Sequence, residues 1–202
     1  MINKEYWDQF YKLDIAPKEE SDFAKFVLQY INDNEIRTER LIDVACGNGR
    51  DTCFFQKNGI QSSGVDLSIE IENDYVKFIK GDILEFDYTA FGLVYMRFIV
   101  HALKESELDI LLQRISNSTN NPYIFIETRS SKGINDEPKA ETFFKSSIGA
   151  EHFRMLYSKE YFTEKVHSKF EILYSKEADN FSVYKSDNPV CLRFILKKKQ
   201  SN

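Results

Sequence analysis

The stretch DVACGNGR, residues 43–50, constrains the fold of this chain more than any other. It ends an apolar run, 40–45, that is typical of a buried strand, and it precedes a segment, 51–57, that is typical of a helix. Gly47 and Gly49 allow the backbone to turn sharply and to approach a ligand closely. A strand, a glycine turn and a helix in this order predict a parallel α/β sheet that binds ligands at the carboxyl ends of its strands.

The rest of the chain continues this alternation of short apolar runs and amphipathic segments, which is typical of an α/β layer fold. The last two runs are expected to pair as antiparallel strands at one edge of the sheet. We predict further strands at 60–66, 75–79, 91–96, 123–128, 170–175 and 190–196, and further helices at 5–13, 21–31, 105–115 and 158–167.

Composition places the chain among single-domain globular proteins. It has 202 residues, a net charge of −5 and no basic face that would indicate nucleic acid as a partner. Three cysteines without a CxxC pair argue against a disulfide framework or a zinc site. No stretch approaches the ~18–20 apolar residues that span a bilayer. We therefore expect a cytoplasmic protein with a small-molecule partner, while the oligomeric state is left open.

Two further acidic residues follow predicted strands. Asp66 lies 17 residues beyond Gly49, where a carboxylate can accept both hydrogen bonds of a ribose diol. Gly81-Asp82 is placed to meet the exocyclic amine of adenine. A dinucleotide loop would have a third small residue where this chain has Thr52, and it would not require Asp43 inside the strand. The pattern favours an adenosine ligand without phosphates, and a nucleotide-dependent oxidoreductase is the less favoured alternative.

These motifs, 43–49, 64–66 and 81–82, resemble the successive motifs of class I S-adenosylmethionine-dependent methyltransferases. The resemblance implies a Rossmann-like methyltransferase fold in one domain, 1–202. That fold is α/β and doubly wound, with a mostly parallel seven-stranded sheet and a C-terminal antiparallel strand pair. It also implies S-adenosyl-L-methionine as the cofactor. Only 14 residues separate Asp66 from Gly81, so the usual helix there must be short or missing.

The same resemblance assigns roles around the cofactor, within a core spanning 36–129. Asp43 would order the loop and meet the amino-acid end of the cofactor, and Arg50 would pair with its carboxylate unless it is a solvated arginine. Leu67 and Ile83 would wall the adenine pocket. The predicted cofactor-binding residues are Trp7, Tyr11, Asp43, Ala45, Cys46, Gly47, Gly49, Arg50, Asp66, Leu67, Asp82, Ile83 and Met96.

The N-terminal segments YWDQFY, 6–11, and SDFAKF, 21–26, are similar to the opening of small stand-alone bacterial methyltransferases, some of them associated with surface-polysaccharide pathways. The similarity implies that residues 1–35 form a helical lid over the cofactor, with Trp7 and Tyr11 in contact with it. The alternative is that these aromatic side chains simply cover the sheet.

The run VYMRFIVHAL, 94–103, places Arg97 and His101 after the fourth predicted strand. If a helical turn begins at Arg97, residues four apart share one face, and both side chains would face the cleft as catalytic and substrate-binding groups. The alternative is a buried histidine beside an arginine that reaches solvent.

Other cations follow later strands. Arg129 ends the fifth strand, and His152 and Arg154 lie in 130–157, which is too long for a plain connection and is predicted to be a substrate loop or cap. The remainder, 158–202, would hold the last helix and the strand pair. Arginine suits carboxylate and phosphate oxygens, so these residues predict a small anionic substrate. Alternatively, Arg129 and Arg154 form surface ion pairs with Glu127 and Glu151.

The expected function is methyl transfer from S-adenosyl-L-methionine to a small anionic acceptor, which carries a phosphate or a carboxylate, on oxygen. His101 is the first candidate for a general base and His152 the second, because an unperturbed imidazole titrates near neutrality. An oxygen that is already ionised needs no base. No metal is expected. The alternative from another class is a non-catalytic protein that binds the cofactor on behalf of a partner.

Overall fold

The computed structural model describes residues 4–13, 15–37, 40–68, 71–118, 120–134, 136–145 and 151–199. Seven strands form one sheet in the order β3-β2-β1-β4-β5-β9-β8, and two form a separate antiparallel pair. The strands are β1 (Leu41–Val44), β2 (Ser62–Asp66), β3 (Lys77–Lys80), β4 (Leu93–Arg97), β5 (Tyr123–Arg129), β6 (Lys139–Lys145), β7 (Glu151–Tyr157), β8 (Phe170–Ala178) and β9 (Cys191–Lys198).

Strands β1 to β5 are parallel, and β9 runs antiparallel to both β5 and β8. The predicted fold class, a mostly parallel seven-stranded sheet with a C-terminal antiparallel strand pair, is therefore confirmed. The order reverses between β1 and β4, which is where ligands bind in open α/β sheets of this kind.

Five helices and one short turn complete the described structure. Ser21 and Ser158 cap two of the helices, since their hydroxyls accept hydrogen bonds from Ala24 N at 3.0 Å and Tyr161 N at 3.1 Å. None of the described helices has the length and apolar character needed to cross a membrane. The helices are α1 (Lys4–Lys12), α2 (Asp22–Asp33), α3 (Arg50–Lys57), α4 (Glu105–Ser116) and α5 (Lys159–His167), with a 3₁₀ turn at Val100–Ala102.

The core has two layers because the sheet is covered on both faces. Along β4, Val94 and Met96 belong to one apolar cluster, whereas Leu93 and Tyr95 belong to the other. Successive side chains of a strand point to opposite faces, so this alternation requires apolar cover on each side. Helix α2 supplies cover for the second cluster through Phe23 and neighbouring residues.

The segment 130–157, for which the sequence predicts a substrate loop or cap, contains regular structure. Much of that segment is the β6–β7 pair, in register from Lys139 opposite Tyr157. Phe153, Met155 and Tyr157 of β7 are buried in the core, which explains why the segment is ordered as a strand. Residues 135 and 146–150 of the segment lie outside the described residues.

No helical turn begins at Arg97, so the condition for a shared helical face with His101 is not met. Arg97 is the last residue of β4, and the following Phe98 has a φ of 62°, which interrupts any helix there. The 3₁₀ turn begins only at Val100, so Arg97 and His101 do not share a helical face. Between β2 and β3, the described residues contain no helix, in agreement with the short spacing.

Candidate functional site

A cavity of about 1010 Å³ opens at the carboxyl ends of β1, β2 and β4. Helix α1, the segment before α2, the β6–β7 pair and the β8–β9 connection supply its remaining walls. It brings together most of the predicted site residues, but Gly47, Gly49, Asp82, Met96 and His101 are not among those that line it. The predicted residues that do line it are Trp7, Tyr11, Asp43, Ala45, Cys46, Arg50, Asp66, Leu67, Ile83, Arg97, Arg129, His152 and Arg154.

The glycine loop after β1 is tied to the end of β2 by Asp66. One carboxylate oxygen of Asp66 accepts a hydrogen bond from Gly47 N at 3.1 Å, and the other accepts one from Ser68 N at 2.8 Å. Burial raises the pKa of Asp66, although both hydrogen bonds act against this shift. Ala45, at a φ of 58°, holds a left-handed conformation at the start of the loop. Such strain is common where a backbone is shaped for a ligand.

Asp82 and Met96, both predicted to touch the cofactor, do not line the cavity. An oxygen of Asp82 accepts a hydrogen bond from Leu84 N at 2.8 Å and so stabilises the turn after β3. Met96 is fully buried in the core. Ile83, between Asp82 and that turn, does reach the cavity.

Asp43 is buried beneath the loop. It accepts a hydrogen bond from the hydroxyl of Thr52 at 2.6 Å. Burial and the neighbouring Asp51 raise the pKa of Asp43 to about 8. A positively charged ligand group nearby would therefore favour the ionised form of Asp43.

A buried hydrogen-bond network that the sequence analysis did not identify joins α2, α3 and β4. Asp51 accepts hydrogen bonds from the backbone N–H and the hydroxyl of Ser21, both at 2.7 Å, and from the hydroxyl of Tyr95 at 2.7 Å. The three residues are far apart in sequence, so no local pattern could reveal the network. It fixes the start of α2 against the first turn of α3.

The segment before α2 is also held by the loop and α3. Asn48 donates to the carbonyl of Pro17 at 2.8 Å, and Arg50 donates to the carbonyl of Glu19 at 2.7 Å. Arg50 is thus not a solvated arginine: it lines the cavity while one of its donors is already used.

Helix α1 lines one side of the cavity. At one end, Tyr11 lies against Gly47, and burial and then Asp66 raise the pKa of the Tyr11 hydroxyl. At the other end, the ring of Tyr6 stacks on His152 with centroids 4.4 Å apart. Trp7 lies between them and stacks on Tyr11 at 6.1 Å. The helix therefore contacts both the loop and the β6–β7 pair.

Arg97 is held by the buried carboxylate of Glu127. Its Nε donates to Glu127 at 3.1 Å, and an Nη atom donates to the hydroxyl of Ser182 at 2.9 Å. Arg193 occupies the other oxygen of Glu127 at 2.7 Å and also donates to the carbonyl of Phe181 at 3.0 Å. The two arginines thereby anchor the β8–β9 connection over the cavity, and Arg97 still lines it.

His101 is buried and does not line the cavity. Its Nδ1 accepts a hydrogen bond from Arg129 N at 3.2 Å and lies 2.9 Å from the hydroxyl of Thr128. Because a backbone N–H donates to Nδ1, we assign the proton of the neutral ring to Nε2. Burial and then Arg154 and Arg129 lower the pKa of His101 well below its ordinary value. An imidazole with such a pKa is a weak general base.

Arg129, His152 and Arg154 lie together at the end of the cavity near β5 and β7. The Nη atoms of Arg129 contact the carboxylate of Asp187, not that of Glu127. Nε of Arg154 donates to Nε2 of His152 at 2.8 Å. Burial, followed by the neighbouring arginines, lowers the pKa of His152 to about 4 and that of Arg154 to about 10.

Charged groups of both signs line each end of the cavity, in unequal numbers. The carboxylates of Asp43, Asp51 and Asp66 lie with Arg50 near β1 and β2, and the guanidinium groups of Arg129 and Arg154 lie with Asp187 near β5 and β7. Among the described residues, no group of three or more His, Cys, Asp or Glu is arranged to hold a metal ion. This arrangement can orient two ligands of opposite charge side by side.

No protein-family model and no curated protein matches the chain. Solved structures do resemble it. The 1,6-didemethyltoxoflavin-N1-methyltransferase of Burkholderia thailandensis, with 1,6-didemethyltoxoflavin and S-adenosylhomocysteine bound, has a TM-score of 0.70 at 14% identity over 98% of this chain and 84% of that chain. A SAM-dependent methyltransferase from Anabaena variabilis has a TM-score of 0.69 at 18% identity over 97% and 93%.

A further S-adenosylmethionine-dependent methyltransferase, from Clostridium acetobutylicum, gives a TM-score of 0.67 at 14% identity over 97% of each chain. At sequence identities this low, the structural similarity establishes the fold and not the activity. The chain has the Rossmann-like fold that these methyltransferases share.

Proposed function

We propose that this protein transfers a methyl group from S-adenosyl-L-methionine to a small acceptor. The observation that carries the proposal is the contact between Asp66 and the glycine loop at the carboxyl ends of β1 and β2. This contact places a buried carboxylate beside a tight backbone turn, inside a large cavity. Solved neighbours with the same fold were crystallised with S-adenosylhomocysteine or S-adenosyl-L-methionine, which supports the same cofactor here.

The residues at the end of the cavity near β1 and β2 suit this cofactor. Asp66 is a hydrogen-bond acceptor for the ribose diol, Leu67 and Ile83 are apolar walls for adenine, and Asp82 remains a candidate for its amine. The carboxylates of Asp43 and Asp66 complement the positive charges of the sulfonium and the ammonium group. When bound, the cofactor supplies an electrophilic methyl group.

Helix α1 acts as the lid in this proposal. Tyr11 and Trp7 would close over the cofactor from the side of Gly47, and they would exclude water from the reacting atoms. The contact between Tyr6 and His152 would couple closure to the acceptor side of the cavity.

The acceptor is a small anion, methylated on oxygen. The guanidinium groups of Arg97, Arg129 and Arg154 line the cavity and suit carboxylate or phosphate oxygens. Acidic sugars belong to this class, consistent with the resemblance to enzymes of surface-polysaccharide pathways. The depressed pKa values of His101 and His152 make both poor bases, so the proposal favours an oxygen that is already ionised.

His101 then has a positioning role. It accepts a hydrogen bond from the backbone of Arg129 and so orients one of the acceptor-binding arginines. Arg97 would hold the β8–β9 connection and contact the acceptor with the N–H groups that Glu127 and Ser182 leave unused.

Incubation with a methyl-labelled donor and separate pools of carboxylated, phosphorylated and neutral small molecules tests the proposal. We expect labelled product only from the anionic pools. Turnover confined to neutral acceptors would refute the anionic acceptor. Donor binding with no turnover in any pool would favour the non-catalytic alternative.

A further inference from the structure

Two buried guanidinium atoms at the end of the cavity near β5 and β7 have no hydrogen-bond partner among the described residues. They are Nε of Arg129 and Nη1 of Arg154. A buried donor without a partner costs free energy, and the cost is larger for a charged group. Native proteins rarely leave such atoms unsatisfied, so each one requires a physical explanation.

The hydrogen-bond partners that Arg129 and Arg154 have in the structure do not explain why these two atoms are unused. Asp187 contacts both Nη atoms of Arg129 and leaves its Nε unused. His152 accepts from Nε of Arg154 and leaves Nη1 unused. The two cations are also close enough for Arg129 to oppose the charge of Arg154.

The local charge is unbalanced by about one unit, since two guanidinium groups face one carboxylate. His152 and His101 add no charge near neutral pH because burial depresses their pKa values. Aromatic rings border both cations: Phe144 lies 4.8 Å from the guanidinium carbon of Arg154, and Phe98 lies 5.8 Å from that of Arg129.

We propose that the unused donors of Arg129 and Arg154 bind a carboxylate group that anchors the methyl acceptor. Two donors match the two oxygens of a carboxylate, and a single negative charge balances the cluster. The neighbouring rings suit a flat apolar body attached to that carboxylate. This inference rests on the proposed function in one respect, namely that the bound molecule is the methyl acceptor. It concerns the group that anchors this molecule, not the atom that receives the methyl group.

Benzoate is a suitable probe because benzamide is its neutral counterpart of nearly the same shape. We expect calorimetry to show binding of benzoate and none of benzamide. Arg154→Met should weaken benzoate binding by about tenfold or more, as expected for loss of a charge-assisted contact. Arg114→Met is the matched control and should leave binding unchanged, since Arg114 is exposed on α4 and donates to the carbonyl of Glu85, away from the cavity lining.

A stability measurement separates a binding role from a structural one. Arg154→Met removes the unsatisfied Nη1 together with the hydrogen bond from Nε to His152, so it should change the Tm little. Benzoate should raise the Tm of the unmodified protein only. A lowered Tm with unchanged benzoate affinity would mean that Arg154 is structural and would overturn the inference. Arg129→Gln provides a second variant, for which weaker benzoate binding is again expected.

Titration of the same samples with S-adenosyl-L-methionine distinguishes the two proposals. Binding of the donor without benzoate binding overturns the carboxylate subsite alone. Arginine-dependent benzoate binding without donor binding overturns the methyltransferase proposal alone. Tighter binding of phenyl phosphate than of benzoate would contradict the assignment to a carboxylate.

Discussion

The hydroxyl of Tyr11 lies so close to the backbone of Gly47 that a Cβ atom at position 47 would overlap it. Gly47 also has a φ of 56°, which favours glycine for conformational reasons alone. Helix α1 and the loop after β1 therefore share one small volume, and a ligand that binds the loop must do so in contact with Tyr11.

Gly47→Ala should weaken the binding of S-adenosyl-L-methionine by about tenfold or more, because the added methyl group disturbs the loop and displaces the side chain of Tyr11. Gly59→Ala is the matched control. Gly59 has a φ of 83°, but a Cβ atom added there would meet no other atom within 4 Å. It should cost about 1 kcal/mol of stability from backbone strain and leave the affinity unchanged. Equal affinities for the two variants would contradict the role of position 47.

Ser21→Ala should destabilise the protein more than Ser158→Ala does. Both serines cap a helix, but only Ser21 also donates to the buried carboxylate of Asp51. Loss of a cap costs about 1 kcal/mol. Loss of one hydrogen bond to the buried carboxylate, which keeps those from the Ser21 backbone and Tyr95, costs about 1 kcal/mol more. Denaturant unfolding at pH 7 measures the difference, and equal losses would show that the network with Tyr95 contributes nothing.

The strands and the glycine loop could be predicted from the sequence because they depend on local patterns. The apolar runs that form β1 and β2 are followed by glycine or aspartate, which predicts where each strand ends. The end of β2 in turn places Asp66 at the cavity. The polar network around Asp51 could not be predicted, since Ser21 and Tyr95 approach it only through the tertiary fold.

Two local features could not be read from the sequence, and they have a similar cause. The pair β6–β7 has mixed polar and apolar residues, and its strand character depends on burial of Phe153, Met155 and Tyr157 in the core. The spacing of Arg97 and His101 fits a helix, but the left-handed backbone conformation of Phe98 prevents a continuous helix between them. Arg97 depends on its partner Glu127 in β5, and no spacing rule reveals that pair.

Stability should fall as the pH is lowered from about 6.5 toward 4, and His152 should contribute to the loss. Its pKa is lowered from 6.5 to about 4, so the folded state binds a proton less readily than the unfolded state. The contribution of His152 to the free energy of unfolding is then fully present above pH 6.5 and is lost as the pH falls through this window.

Tm measurements between pH 7.5 and about 4.5 should show a smaller acid shift for His152→Gln than for the unmodified protein. His167→Gln, at the exposed end of α5, is the control and should retain the full shift. An equal fall of Tm with pH in all three proteins would contradict the contribution of His152.

Calorimetric titration with S-adenosyl-L-methionine, in parallel with NADH, tests the central claim most directly. We predict a dissociation constant for S-adenosyl-L-methionine of about tens of micromolar or lower, at least about tenfold weakening in Asp66→Asn, and no binding of NADH. Absence of S-adenosyl-L-methionine binding in this range, by a folded protein, would contradict the assignment of the cavity as a methyltransferase site.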